Sequence, residues 1–493
     1  MTTAPVPPAS QAGASSAPAA PPVEGRALSL FQKIMYSLGN FAQGVAPAIV
    51  VGWLQYYYTK TETNLDGVVK AGGAALLTYA AFGYIAGGAR MMEAVANPVV
   101  GYLSDRLRTR WGRRKPFVVA LTPILAVTFA LVWFPPSAVP GPANAVWLAL
   151  LLGLFWLAYA GVVGPYLSLL PEITPFLRER INLSTIMGLL EVAGFLVSTM
   201  AAGAIIEAFK DGVRVGPLAF GDGYKLLAIA VAVLTFACVL LSVRWVAETP
   251  HNAAKEVPFH FGAAVRHTFR NRLFMPYVLS VSFFRIGIDS VIVAMPYLVV
   301  KVLGKKEDLA GLLQGVVILL SAALFPVVGL LAARYGKKRI YLVGLAGFAL
   351  GLPLLFFIGK APFLGLGLVK LLGALGVSFA APFAAAQIAH IIVVLVVIAF
   401  PIATSFVLPR AIFADVVDQD ETLTGYRREA MYNGMEGIMS KTAAASVPLV
   451  TSQLFAHFGA STAQPLGILL IGPVAGVLVL GGLIGFLRYP LKQ

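Results

Sequence analysis

Long apolar runs recur along most of this chain, and short polar loops separate them. An α-helix needs about 20 apolar residues to cross a bilayer. Runs of roughly that length lie near residues 29–58, 72–105, 116–135, 144–171, 183–207, 224–247, 273–301, 308–334, 339–359, 383–409, 428–456 and 464–488. The pattern predicts an all-α polytopic membrane protein with twelve transmembrane helices, embedded in a lipid bilayer.

The composition agrees with a membrane protein and narrows its chemistry. Of the 493 residues, 58% are hydrophobic and 12% are charged, and the mean hydropathy is +0.83. The net charge of +15 does not indicate a nucleic-acid partner, because membrane proteins concentrate Lys and Arg in cytoplasmic loops. The single Cys238 and five scattered histidines give no disulfide or metal-ligand spacing. We find no catalytic cluster or nucleotide loop, and expect no metal, no cofactor and no enzyme activity.

The basic residues fall in loops on one side of the predicted helices. Six Lys or Arg residues lie between 106 and 115, and four lie between 334 and 339. The positive-inside rule places these loops, and both termini, on the cytoplasmic face of a cell (inner) membrane. The stretch 361–382 is apolar enough for a thirteenth span, but a thirteenth span would move the next basic loop to the other face. The sequence alone leaves the state of this stretch open.

A repeat divides the chain into two halves. The segments PVVGYLSDR (98–106) and WGRRK (111–115) match PVVGLLAAR (326–334) and YGKKR (335–339), six helices later. Such a repeat is typical of a transporter whose two similar halves surround a site near the middle of the membrane. We divide the chain into a disordered Ala/Pro/Ser-rich cytoplasmic tail (1–25), a first six-helix half (26–247), a cytoplasmic linker (248–272) and a second six-helix half (273–493).

The first copy of the repeat contains Gly-x-Leu-x-Asp-Arg followed by Gly-Arg-Arg. This pattern resembles the cytoplasmic loop motif of the major facilitator superfamily. The resemblance implies the major facilitator fold, with charged contacts that form and break as the halves rock. In the second copy Ala333 replaces the acid, so we expect a charge latch in the first half only. The predicted gating residues of the two copies are Asp105, Arg106, Arg113, Arg114 and Arg334.

Charged and polar side chains interrupt the second apolar run. On a helix, Arg90, Glu93 and Asn97 lie within about 60° of one another. Each charge at the membrane centre costs roughly 2.5–3.5 kcal/mol, which favours ion coupling or substrate contact in a water-lined cavity. An Arg90–Glu93 pair that only satisfies itself is the alternative. The corresponding positions of the second repeat carry no charge, which assigns the coupling ion to the first half.

Other spans carry polar residues that we interpret as candidates for contact with a small-molecule substrate. These candidates, together with Arg90, are Tyr36, Asn40, Gln43, Glu191, Gln314 and Gln387. Arg285 and Asp289 have the i, i+4 spacing of a self-contained pair and are assigned to structure or gating. His390 is interpreted as a satisfied interior histidine. Lys441 lies too deep in its span to reach the surface, so it needs a carboxylate or a cavity.

Three segments, 36–59, 89–117 and 413–446, resemble the glycoside–pentoside–hexuronide cation symporters, which include the melibiose permeases. The resemblance covers most of residues 29–488 and implies cation-coupled symport by alternating access. In that family the second helix usually reads Arg-x-x-Asp-Ala-x-x-Asp-Pro, and its two acids hold the cation. Here the matching side chains are Glu93 and Asn97, and Lys441 matches the family's lysine, so these three form the predicted cation site.

One carboxylate and one amide make a weaker cage for sodium than two carboxylates do. A single buried carboxylate beside Lys or Arg carries a proton well, so we expect H⁺ coupling rather than Na⁺ coupling. Melibiose-type members carry sugar-binding acids at two positions that match Gly44 and Val163 here. The chain therefore lacks two charge-assisted acceptors for sugar hydroxyls.

The function predicted from the sequence is symport of a small organic solute, of the sugar or glycoside type by family. The wider family also includes sodium-dependent lysolipid transporters, so transport of a lysophospholipid or another amphipathic lipid is one alternative. A passive scramblase or a non-transporting sensor is another. Members of the superfamily mostly work as monomers, and we expect the same here.

Overall fold

Twelve long helical segments, numbered α1–α12 here, account for most of the chain that the structure describes. The structure is a computed structural model, and it describes residues 28–60, 75–107, 109–174, 176–246, 271–424 and 429–490. The predicted tail 1–25 and nearly all of the predicted linker 248–272 lie outside these ranges.

The first half contains six helices and one small hairpin. The helices are α1 (Leu30–Thr59), α2 (Tyr79–Arg106), α3 (Lys115–Leu131), α4 (Pro142–Ile173), α5 (Leu177–Ala208) and α6 (Gly223–Arg244). Strands β1 (Val213–Val215) and β2 (Leu218–Phe220) pair antiparallel between α5 and α6. The start of α1 is fixed by a capping box, in which Ser29 Oγ accepts from the Gln32 N–H (3.2 Å) and Gln32 Oε1 accepts from the Ser29 N–H (3.0 Å).

The second half repeats the six-helix arrangement with three irregular helices. It contains α7 (Phe274–Tyr297, continued by a π-helical turn, Leu298–Val302), α8 (Glu307–Ala323 and Phe325–Tyr335), α9 (Lys337–Gly351, continued by a 3-10 turn, Leu352–Phe357), α10 (Pro382–Thr424), α11 (Glu429–Phe458) and α12 (Leu466–Leu487). The two parts of α8 meet at an angle of 41°. Pro326 lies at this break, where it removes a backbone donor and disfavours a straight helix.

The predicted all-α fold with two six-helix halves is confirmed. Within the described residues, eight helices are long and apolar enough to cross a membrane, or nine with the bent α8. The other three are α3, which has 17 residues, and α2 and α11, whose apolar character is interrupted by the charged side chains discussed below.

Two elements differ from the hydropathy prediction. The predicted tenth helix ends at 409, whereas α10 continues to Thr424, because hydropathy does not detect a helix that extends out of the bilayer. In the apolar stretch 361–382 the structure has a 12-residue helix, Phe363–Ala374. It is only about 18 Å long, too short for a hydrocarbon core of about 30 Å. This short helix packs on α10, where a Cβ on Gly365 would overlap the Ala386 carbonyl.

Small residues allow the two halves to pack closely. We call the side of the bundle that bears residues 109–114 and Gly336 the basic side, and the other the opposite side. Near the opposite side, a Cβ on Gly83 of α2 would lie 2.5 Å from Ser452 Cβ of α11, and one on Gly203 of α5 would lie 2.5 Å from the Glu307 carbonyl oxygen of α8. These approaches, which only glycine permits, close the halves against each other toward the opposite side.

The crossing of α5 and α8 can be tested with a pair of substitutions on one helix. We expect Gly203→Ala to lower the free energy of unfolding by about 1–3 kcal/mol, because the new methyl group meets backbone atoms that cannot move aside. Gly188→Ala is the matched control, since nothing lies within 4 Å of a Cβ at that position and alanine favours the helix. Thermal unfolding in detergent measures both, and equal melting temperatures would contradict the close crossing.

Candidate functional site

The centre of the site is a carboxylate on α2 that lies between two cations. Glu93 is 2% exposed. Its Oε1 is 2.9 Å from Lys441 Nζ on α11, and its Oε2 is 3.3 Å from Arg90 Nε one turn earlier on α2. Because α2 and α11 belong to different halves, the Glu93–Lys441 ion pair joins the two halves in the middle of the bundle. The carboxylate that Lys441 was expected to need is Glu93.

Arg90 is held mainly by an aromatic ring. Its guanidinium carbon lies 3.7 Å above the ring of Trp156 on α4, a cation–π contact worth about 2 kcal/mol when it is desolvated. The contact with Glu93 lacks hydrogen-bond geometry, and Arg90 Nη1 is buried without a hydrogen-bond partner among the described residues. The alternative of an Arg90–Glu93 pair that only satisfies itself therefore does not fit, because part of the guanidinium is left unpaired.

Asn97 points to its own helix rather than to the charges. Its side-chain amide donates a 2.6 Å hydrogen bond to the Glu93 carbonyl oxygen, and its Oδ1 faces Gly164 of α4 at 3.9 Å from the place where a Cβ would be. The amide nitrogen is thus committed to the α2 backbone. Of the three residues predicted for the cation site, the structure brings Glu93 and Lys441 into contact and leaves Asn97 one turn away.

The second half contributes a further ion pair. Arg285 Nε lies 3.0 Å from the Asp289 carboxylate on the next turn of α7, the self-contained pair that the i, i+4 spacing predicts. Asp289 is 3% exposed, whereas the Arg285 side chain is 46% exposed. Arg285 is also within electrostatic range of Glu93 and Lys441. The open face of Arg285 in the middle of α7 therefore lies beside the charge cluster.

Tyr159, which sequence reasoning missed, lies among these charges. It follows Trp156 by one turn of α4, and Glu93, Glu191, Arg90 and Arg285 are all within its electrostatic range. None of the site residues predicted from the sequence lies in the central part of α4. The signal that could have identified the residue is the Trp-x-x-Tyr pair, which puts two polar-tipped rings on one face of an apolar helix.

Several predicted substrate contacts are engaged elsewhere. Tyr36 and Tyr166 stack at 4.7 Å, and each hydroxyl donates to the other residue's carbonyl oxygen, so Tyr36 packs α1 against α4. Asn40 donates to Glu191 Oε2 at 3.3 Å, and Glu191 is exposed. Gln43 lines a separate small pocket inside the first half.

Two further candidates also lie away from the charge cluster. Gln314 is 3% exposed and donates to the Ile292 carbonyl oxygen at 2.9 Å. Gln387 is near the start of α10 beside Gly359. His390 is fully buried, with Nε2 3.0 Å from the Leu354 carbonyl oxygen, and Nδ1 has no hydrogen-bond partner within the described part of the chain. The interpretation of His390 as satisfied holds for one ring nitrogen only.

A cavity opens beside the charge cluster, between α1, α2, α4, α7 and α11. Of the fourteen described residues that line it, ten are apolar. The polar ones are Gln55, Arg90 and Asp289, together with the ring of Trp156. Among the predicted substrate contacts, the structure places only Arg90 on this wall.

On the basic side, each half has its own charged clamp. After Gly112 (φ +102°), Arg113 Nε lies 3.1 Å and Arg114 Nη1 lies 3.2 Å from Glu172 Oε1 on α4. After Gly336 (φ +92°), Lys337 Nζ lies 2.6 Å from Asp415 on α10. These clamps use acids of α4 and α10, and the latch predicted for the first half, which involves Asp105, stays a prediction.

The remaining gating candidates have local contacts. Arg106 lies over the ring of Tyr102 at 4.1 Å, and Arg334 lies over Tyr335 at 5.3 Å. The predicted pairing of Asp105 lies outside the side chains that the structure describes.

The link between the halves can be measured with a double-mutant cycle. Breaking a buried ion pair by removing one partner costs about 3–5 kcal/mol, because an uncompensated charge remains. We expect Glu93→Gln and Lys441→Met each to destabilise the protein, and the double variant to recover part of the loss. Melting temperatures of the four proteins in detergent give the coupling energy. Additivity within about 0.5 kcal/mol would show that the two side chains act independently.

Comparison with solved structures shows that the fold is shared with transporters. The nucleoside transporter NupG superposes with a TM-score of 0.65 at 10% identity, over 93% of this chain and 99% of that chain. A D-xylose–proton symporter superposes with a TM-score of 0.58 at 18% identity, over 91% of this chain and 97% of its own.

Sequence comparison extends the similarity to symporters. An uncharacterized symporter of Synechocystis sp. is 22% identical over 94% of both chains. The sodium-dependent lysophosphatidylcholine symporter 1-B of Danio rerio is 24% identical over 94% of this chain and 88% of its own. The inner membrane symporter YicJ of Escherichia coli is 25% identical over 44% of both chains.

Residues 35–493 match the family described as MFS/sugar transport protein. This match covers nearly the whole chain, and the relatives and structural neighbours are transporters rather than enzymes. The chain is therefore a symporter of the major facilitator superfamily and belongs to its glycoside–pentoside–hexuronide cation symporter family.

Proposed function

We propose that the chain couples the movement of a small organic solute to protons, and that Glu93 carries the proton. The observation that supports this most strongly is the position of Glu93, which is buried between Arg90 of its own half and Lys441 of the other half. A carboxylate in that position has two distinct states. When ionised it attracts Lys441 across the boundary between the halves, and when protonated it no longer does.

The size of this attraction is sufficient for a conformational switch. Two unit charges 4 Å apart interact by roughly 4 kcal/mol at an effective dielectric constant of 20, and 1.4 kcal/mol shifts an equilibrium tenfold. Loss of the Glu93–Lys441 attraction therefore favours separation of α2 from α11, which is the movement that alternating access requires.

Proton coupling fits the geometry better than sodium coupling. Hard cations take several oxygen ligands, but the Lys441 ammonium already occupies one Glu93 oxygen at 2.9 Å. No group of three acidic, histidine or cysteine side chains suited to a metal ion lies within the described ranges. A proton needs only the carboxylate itself.

The orientation belongs to the same proposal. We place the basic side in the cytoplasm, with both termini, because Lys and Arg concentrate in cytoplasmic loops. The opposite side is then external, and the close crossings at Gly83 and Gly203 close the halves on the external side of a protein in the cell membrane. The monomer expected from the superfamily is part of the same proposal.

Sodium coupling is the second candidate, and one comparison favours it. The relative from Danio rerio that aligns over 94% of this chain is named a sodium-dependent lysophosphatidylcholine symporter. A passive lipid scramblase or a sensor would have the same fold, but neither would move ions together with a solute.

Reconstituted full-length protein tests the role of Glu93. Liposomes containing a pH-sensitive dye are supplied with phenyl β-D-glucoside, phenyl β-D-glucuronide or a short-chain lysophospholipid, with and without sodium. We expect one probe to acidify the lumen without sodium, and Glu93→Gln to reduce the rate at least tenfold. The matched control is Asp211→Asn, which alters an exposed carboxylate outside the helices. Acidification that persists in Glu93→Gln, or uptake that requires sodium, would overturn proton coupling through Glu93.

A further inference from the structure

The wall of the central cavity has a composition that is unusual for a sugar site. A sugar needs hydrogen-bond partners for several hydroxyl groups, because unpaired buried hydroxyls cost about 1–3 kcal/mol each. Here ten of the fourteen described lining residues are apolar, with Phe82, Val293 and Val447 among them. This wall binds an apolar body well and a polyol poorly.

The polar part of the cavity carries a positive charge, Arg90, that shares its counter-ion Glu93 with a second cation, Lys441. Asp289 is neutralised by Arg285 at 3.0 Å. Arg90 also lines the cavity, with its side chain 11% exposed, and its Nη1 has no hydrogen-bond partner among the described residues. Trp156 holds the guanidinium in place from one face. Because the orientation is fixed in advance, the part of the guanidinium that reaches the cavity can donate to an anion there.

The charges around Glu93 relate Arg90 to the coupling step. In the described cluster, one carboxylate, Glu93, faces two cations, Arg90 and Lys441. A proton on Glu93 leaves both cations without a counter-ion in a setting of low dielectric, which is strongly unfavourable. A negative group on the solute restores the balance. The same proton that loosens the link between the halves therefore increases the affinity of the cavity for an anion.

We infer that the cargo is an anionic amphiphile, which binds through one negative group on Arg90 and through an apolar body against Phe82, Trp156, Val293 and Val447. This inference rests on the proposed proton coupling. Carboxylates and phosphates share the required chemistry, and the source is an acidic glycoside or an acidic single-chain lipid. One proton and one monoanion together carry no net charge, so transport of a monoanion is electroneutral.

The first test compares ligands that differ in one group, using the full-length wild-type protein. Phenyl β-D-glucuronide and phenyl β-D-glucoside differ by a carboxylate, and glucuronate lacks the apolar ring. Titration calorimetry at pH 5.5 and 7.5 is expected to give at least tenfold tighter binding of phenyl glucuronide than of the other two, with the larger preference at pH 5.5. Hexanoyl lysophosphatidic acid, measured alongside, shows whether a glycoside or a lipid is the better source. Equal or tighter binding of the glucoside overturns the inference.

Variants of Arg90 then assign the preference to the cavity. We expect Arg90→Gln to abolish the preference for glucuronide over glucoside, and Arg90→Lys to retain part of it, because the charge stays but the planar fork is lost. Arg244→Gln, which alters an exposed arginine at the end of α6, should leave the preference unchanged. If Arg90→Gln keeps the preference, the anion binds elsewhere and the inference is wrong.

Transport in liposomes separates the two proposals. Anion uptake with acidification that a potassium diffusion potential does not change supports both. Preferred binding of the anion without proton movement leaves the cargo inference standing and overturns the proposed coupling. Acidification driven by the neutral glucoside supports the coupling and overturns the cargo inference.

Discussion

The contact between Glu93 and Lys441 constrains the rest of the architecture. A charge in the middle of a bilayer is tolerated only beside an opposite charge or in a polar cavity, so α2 and α11 must lie side by side although they belong to different halves. Their contact is close because Gly83 of α2 faces Ser452 and Gly87 faces Leu449 of α11. The charges require the pairing of these helices, and the glycines make it sterically possible.

Properties that depend on one segment were predictable from the sequence. Hydropathy identified the helices because burial in lipid is set by a continuous run of residues. Helical periodicity placed Arg90 and Glu93 on one face, and the depth of Lys441 implied a carboxylate partner. The end of α10 was not predictable in this way. Beyond residue 409 the helix carries polar residues such as Asp415, and hydropathy detects only the apolar part of a helix.

Properties that depend on which helices become neighbours were not predictable. Tyr36 shares a helix face with Asn40, and both were assigned to the substrate, yet the Tyr36 hydroxyl bonds to Tyr166. Periodicity identifies residues that share a face but not the helix that covers that face.

Tyr159 and Trp156 were missed for the same reason. Each acquires its significance from charges on other helices, and nothing within α4 distinguishes them from the aromatic residues of a packed core.

The two halves make matching contacts on the basic side and different contacts at the centre of the bundle. At the basic side each half has a positive-φ glycine turn whose following basic residue pairs with an acid, Glu172 on α4 or Asp415 on α10. At the centre the first half supplies the carboxylate of the pair that joins the halves, Glu93, and the second half supplies its cation, Lys441. Two equivalent carboxylates would repel each other or bind a second proton. Under the proposed mechanism, a single carboxylate shared by unlike halves ties one proton to one separation of the halves.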